Sequence, residues 1–163
     1  MTGNKVWLDA AIHLYENNIA EPVFWLGDDC HLQYAKEVFG ENVLCMDDFV
    51  HYQQNIKNID YFDQHTKFFL SENYLRAKDR CLKMMDRLDL YGAFSRQDRE
   101  VIFNKLAIFI LKKLEKSKPE ALIMAEAAHS HAQYLTLEIC MYLDIEIVKF
   151  NTWMLAPHFI CKI

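Results

Sequence analysis

The feature of this chain that most constrains its fold is an alternation of apolar segments between residues 119 and 150. Residues 121–125 are apolar but too few for a helix, and residues 145–150 are rich in β-branched side chains, so both predict strands. Residues 131–143 between them have helical length and almost no charge. This order predicts a βαβ unit, in which the two strands are parallel. Because open parallel sheets bind ligands beyond the carboxyl ends of their strands, candidate site residues should follow Ala125 and Phe150.

Apolar spacing predicts the other elements as well. Two further strands are expected at residues 22–26 and 42–46, and four further helices at residues 5–17, 30–39, 66–88 and 96–116. Asp29 is expected to cap the second of these helices and Gly40 to end it. Ser95 with Asp98 has the spacing of a capping box for the fourth.

This order of elements predicts one α/β domain over residues 1–163. We expect a three-layer sandwich, with a mostly parallel sheet of four or more strands and helices on both faces. A doubly wound domain normally opens with a strand, whereas this chain opens with a helix and stops on the apolar segment 153–163. We therefore expect it to be a piece, or one half, of a two-domain protein.

Charge and cysteine content exclude several classes of function. A net charge of -5 argues against a nucleic-acid partner, because phosphate neutralisation needs clustered Lys and Arg. The longest apolar run, residues 106–111, is far shorter than a membrane span, and no signal peptide is recognisable at the start. The five cysteines are odd in number and lie mainly in apolar segments, which is typical of reduced core residues in a cytoplasmic protein.

The first candidate site lies between the strand at 121–125 and the helix that follows. Ser130 and Gln133 fit a capping box, which would place His129 and His131 at the strand's carboxyl end. An imidazole there could act as a general base, and Glu126 in the same connection could contact substrate. The competing interpretation is that His131 packs on the helix and His129 is solvated. Two histidines two residues apart, with no further Cys or His nearby, do not predict a metal site.

The second group of candidates follows the other strands. Asp28 could meet a sugar hydroxyl, although Asp residues are ordinarily solvated or cap helices. Asn151, Thr152 and Trp153 could hold and stack on a sugar ring, although a Trp buried against a further domain is an equal alternative. With four glycines and neither a dinucleotide fingerprint nor a P-loop, the chain predicts no nucleotide cofactor of its own.

Several segments together resemble bacterial surface carbohydrate biosynthesis proteins of the capsule or lipopolysaccharide type. The resemblance covers about half of the chain and is carried by loose motifs at residues 21–25, 119–124, 129–131, 134–143 and 144–152. It implies the N-terminal, Rossmann-like half of a GT-B type glycosyltransferase-like protein. In such proteins this half mainly carries the glycan acceptor, and the C-terminal half holds the nucleotide-sugar donor.

By this resemblance His129 or His131 would lie at the cleft between the halves, with Asp28 as a second candidate. The chain departs from the pattern, since it has no proline before His129, no opening strand and no second half. We therefore expect acceptor binding and, for this chain alone, no catalysis.

Two other classes of function stay open. A stand-alone α/β binding or interaction module would dock its nearly uncharged helix 131–143 and its apolar end onto a second domain or a second copy. A small flavodoxin-like regulator would use Asp28, Asp29 and Asp47 as an acidic pocket, but it lacks a lysine just after a later strand.

Overall fold

A computed structural model describes residues 5–27, 31–40, 43–45, 66–125, 127–153 and 156–162. Most of these residues are helical, in α1 (Lys5–Glu16), α2 (Leu32–Phe39), α3 (Thr66–Phe69), α4 (Glu72–Leu88), α5 (Arg96–Ser117) and α6 (His131–Tyr142). The strands are β1 (Trp25–Gly27), β2 (Val43–Cys45), β3 (Ala121–Met124), β4 (Glu146–Trp153) and β5 (Ala156–Lys162). Among the described helices, none combines the length and the apolar character needed to cross a bilayer.

The helix ends follow from local hydrogen bonding. At the start of α5 the Ser95 hydroxyl accepts from the amide of Asp98 at 3.2 Å, and the Asp98 carboxylate accepts from the amide of Ser95 at 2.9 Å, so the predicted capping box is confirmed. The prediction of a single helix over residues 66–88 is wrong, because this segment forms two helices. Ser71 caps α4 by accepting from the amide of Tyr74, which separates α4 from the short α3.

The predicted βαβ unit is confirmed. Strands β3 and β4 pair in parallel, with Leu122 opposite Ile147, and α6 connects them. The apolar end of the chain forms a strand that the sequence did not predict, because β5 pairs antiparallel with β4. Strands β1 and β2 pair in parallel with each other in a separate sheet.

The predicted fold class is therefore wrong. The described chain is mainly helical and holds two small sheets, of two and three strands, in place of one mostly parallel sheet of four or more strands. The physical reason is that the first two strands are three residues long and that Trp25 of β1 and Val43 of β2 pack in a small core, while only Leu26 of these strands is packed against the main core among the described residues. That small core buries Leu8, Ala35 and Val43, with Trp25 and Phe39 packed against it.

The main core is built by helices. Helix α6 lies at its centre, packed against α4, α5 and β4. The buried residues of α6 are Ala132, Tyr134, Leu135, Thr136, Glu138, Ile139 and Cys140. The helix that the interaction-module interpretation would present to a partner is thus already buried inside the domain.

Candidate functional site

The connection from β3 to α6 carries both histidine candidates at residues 129–131, which form a rim at the carboxyl end of β3. The Ser130 hydroxyl accepts from the amide of Gln133 at 3.2 Å, and the Gln133 side-chain oxygen accepts from the amides of Ser130 at 3.1 Å and His129 at 2.8 Å. This capping box fixes the first turn of α6 just beyond the carboxyl end of β3.

The two histidines of the rim have different surroundings. The His129 side chain is exposed, so it can reach a ligand from solvent. The His131 side chain is largely buried, and its Nδ1 atom has no hydrogen-bond partner among the described residues. Burial lowers the pKa of His131 below its ordinary 6.5, so the neutral ring, which can accept a proton, is favoured at pH 7. A functional role for either ring stays a prediction.

The parallel register brings the second group of candidates to the same edge. Met124 pairs with Lys149, so the backbone of Asn151, Thr152 and Trp153 extends past the end of β3 on the side of the rim. The prediction that these three residues follow the strand is wrong, because they belong to β4, where Asn151 pairs with Phe159. The candidates Asp28 and Glu126, and the further acids Asp29 and Asp47, lie outside the described residues.

A buried carboxylate that the sequence analysis missed lies on the same helix. Glu138 of α6 is only 2% exposed and accepts from the Tyr134 hydroxyl at 2.7 Å. From α4, Asn73 donates to Glu138 at 3.2 Å, and the Arg76 guanidinium donates at 3.1 Å. The hydrogen bond with Glu138 raises the pKa of Arg76. Four residues of two helices thus form one connected polar network around a single carboxylate.

A sequence signal for this network existed. Glu138 is the one Asp, Glu, Lys or Arg in the twelve residues of α6, and a lone charge in a buried helix needs a partner from a neighbouring element. Because both of its oxygens are already engaged, Glu138 is better suited to joining α4 to α6 than to abstracting a proton from a ligand.

The residues of α4 contact the residues of α6 in the reverse sequence order. Arg76 pairs with Glu138, the Arg80 guanidinium lies 5.1 Å from the Tyr134 ring centroid, and the Cys81 thiol donates to the carbonyl of His131 at 3.3 Å. The two helices are therefore antiparallel, and Cys81 lies level with the rim.

Burial makes the thiols of Cys81 and Cys140 poor nucleophiles. Burial raises the pKa of Cys81 and of Cys140 to about 12, which keeps both protonated at pH 7. Within the described ranges, no three His, Cys, Asp or Glu side chains gather in a way that could hold a metal ion.

Comparison with known proteins identifies no relative. No protein-family model matches the chain, and neither a curated protein nor a solved structure matches it.

Proposed function

We propose that the rim binds a carbohydrate acceptor, and that the chain is the acceptor-side part of a glycosyltransferase-like protein of surface polysaccharide biosynthesis. The observation that carries the proposal is the position of the rim. A capping box holds His129 and His131 just past the carboxyl end of β3, in a unit whose second strand is parallel to it. The proposal depends on this local βαβ unit and not on a larger parallel sheet.

The chemistry of the rim suits a hydroxyl-bearing ligand. The exposed His129 ring can accept a hydrogen bond from a sugar hydroxyl and take its proton when the oxygen attacks an anomeric carbon. The amides of His131 and Ala132, in the first turn of α6, have no carbonyl partner within the helix and can donate to a second oxygen. The donor sugar and its nucleotide leaving group would come from a second domain, so this chain alone should bind without turnover.

Isothermal calorimetry with the purified chain tests this proposal. The probes are chitotriose, maltotriose and galactotriose for the acceptor, and UDP-glucose and UDP-N-acetylglucosamine for the donor. We expect one trisaccharide to bind, neither nucleotide-sugar to bind, and His129→Ala to weaken the binding. His13→Ala is the matched control, since His13 is an exposed histidine on α1. Binding of no trisaccharide, or of nucleotide-sugars alone, would refute the proposal.

The alternative interaction module has less support. Its first docking surface, the helix over 131–143, is buried by α4, α5 and β4, and its second, the apolar end, is the strand β5 paired with β4.

A further inference from the structure

The contact between α4 and α6 combines an apolar part and a polar part. In the main core α4 buries Ala77, Cys81 and Leu82. Apolar burial has no direction, so it stabilises a helix pair in more than one register. Hydrogen bonds to a buried carboxylate need partners at fixed positions. The polar part, called the Glu138 network below, can therefore distinguish one register from another; its members are Asn73, Arg76, Tyr134 and Glu138.

A shift of α4 by one turn would change the residue that faces Glu138. In the observed register Arg76 donates to Glu138 at 3.1 Å, and the Arg80 guanidinium lies 5.1 Å from the Tyr134 ring centroid. Four residues make about one helical turn. A shift in one direction would bring Glu72 to Glu138, and a shift in the other direction would bring Arg80 there.

The shift that brings Glu72 to Glu138 is excluded by charge. Glu138 is only 2% exposed, and two carboxylates that share a buried site repel each other. Arg76 would at the same time move on to Tyr134, so Glu138 would lose its cation. A buried carboxylate without a cation is strongly destabilising.

The opposite shift needs a different residue to exclude it. Arg80 would take the place of Arg76, so an ion pair with Glu138 would survive. Asn73, which donates to Glu138 at 3.2 Å, would be replaced by Ala77, whose methyl group cannot donate. The carboxylate would lose a hydrogen bond while it stays buried. Asn73 is thus the network residue that separates these two registers.

We propose that the Glu138 network sets the register of α4 on α6, and that Asn73 excludes the one-turn shift that the ion pair alone would tolerate. This inference goes beyond the proposed function and does not depend on it. Replacing a buried ion pair by apolar residues often leaves stability unchanged, whereas a single buried polar contact can fix the register of a helix pair. The register also reaches the rim, because the Cys81 thiol of α4 donates to the carbonyl of His131.

NMR relaxation dispersion on the whole chain tests this inference. The variant Asn73→Ala keeps the ion pair of Arg76 with Glu138 and removes the donor that excludes the second register. We expect exchange on the microsecond to millisecond timescale at the amides of α4 and α6 in this variant, and no such exchange in the parent. In the parent, a nuclear Overhauser contact between the Arg80 side chain and the Tyr134 ring should report the observed register.

A second variant replaces the whole Glu138 network by apolar side chains of similar size. It carries the substitutions Asn73→Leu, Arg76→Leu, Tyr134→Phe and Glu138→Leu. We expect it to melt no lower than Glu138→Gln, but to show two sets of amide peaks for α4 and α6. The Arg80 side chain should then contact both the ring at position 134 and the methyl groups introduced at position 138.

The matched control is the double variant Lys78→Leu, Glu100→Leu. It removes an ion pair at 2.9 Å that joins α4 to α5, and it should give a single set of amide peaks. Absence of exchange in Asn73→Ala overturns the inference, whether or not the apolar variant folds. A folded apolar variant with a single set of peaks, and Arg80 in contact with position 134 alone, overturns it as well. Two sets of peaks in the control would show that any change on α4 has this effect, and the inference would again be overturned.

Discussion

Glu138→Gln should destabilise the fold measurably. Both oxygens of Glu138 accept hydrogen bonds, from Tyr134, Asn73 and Arg76. A glutamine can keep the bond from Tyr134 through its carbonyl oxygen. Its amide nitrogen would then face Asn73 and Arg76. The Asn73 amide can rotate so that its oxygen accepts from this nitrogen, but the Arg76 guanidinium is a donor only, so the bond from Arg76 is lost.

The magnitude follows mainly from the lost bond with Arg76. Hydrogen bonds to a buried charge contribute about 1.5 to 3 kcal/mol each. The Arg76 side chain is 45% exposed, so in the variant it can turn to water, and this recovers part of the loss. We expect a net loss of about 2 kcal/mol in the free energy of unfolding, or roughly 4 to 8 °C in the thermal midpoint for a chain of this length.

Urea unfolding at pH 7, followed by circular dichroism, measures this loss. We expect the midpoint to fall with the slope m unchanged. The control is Glu72→Gln, because Glu72 pairs with the same Arg76 at 3.8 Å but its side chain is 91% exposed; it should have no measurable effect. A Glu138→Gln variant as stable as Glu72→Gln would show that the buried network does not hold α4 to α6.

Three further changes have expected outcomes. Hydrogen bonds from the Phe94 amide and from Arg99 lower the pKa of Asp89 from 3.8 to about 2. The stability that the ionised Asp89 contributes is therefore present above about pH 4 and is lost as the pH falls toward 2. The Asp89→Asn variant should melt at a lower temperature than the parent at pH 7, and at the same temperature at about pH 2. Burial lowers the pKa of His131 below 6.5, so below about pH 6.5 the unfolded chain binds a proton that the folded chain does not bind. Stability therefore falls as the pH drops through 6.5. The His131→Gln variant should show a smaller fall in melting temperature over this pH range. Ser130→Ala removes the cap of α6 and should cost about 1 kcal/mol in urea unfolding, while Ser117→Ala, at the last residue of α5, should not.

The parts of the fold that are predicted correctly depend on local signals. The capping boxes at Ser95 and Ser130 need only four consecutive residues, and the βαβ unit needs only apolar spacing and element lengths. These signals also place His129 and His131 at the end of β3. The break before α4 has a local signal too, a serine at position 71, but the apolar spacing continues across it and favours one longer helix.

The errors concern pairing between distant segments. No property of residues 22–26 states whether that strand will pair with β2 alone or also join β3, since the outcome depends on packing across the whole chain. The apolar segment at the end of the chain suggests a surface for another domain, whereas its residues pair with β4. The role of Glu138 is not predicted, because its partners Asn73 and Arg76 lie on α4, more than sixty residues away in the sequence.

The separation into two cores has a consequence for local unfolding. Of the residues that the structure describes, the small core buries Leu8, Ala35 and Val43, whereas α4, α5 and α6 share a far larger core. Amide hydrogens of α1 and α2 should exchange with deuterium through openings that leave the rest of the chain closed. The ring of Trp7 on α1, whose centroid lies 4.9 Å from that of Phe150 on β4, should report such an opening by its fluorescence before the helices of the larger core unfold.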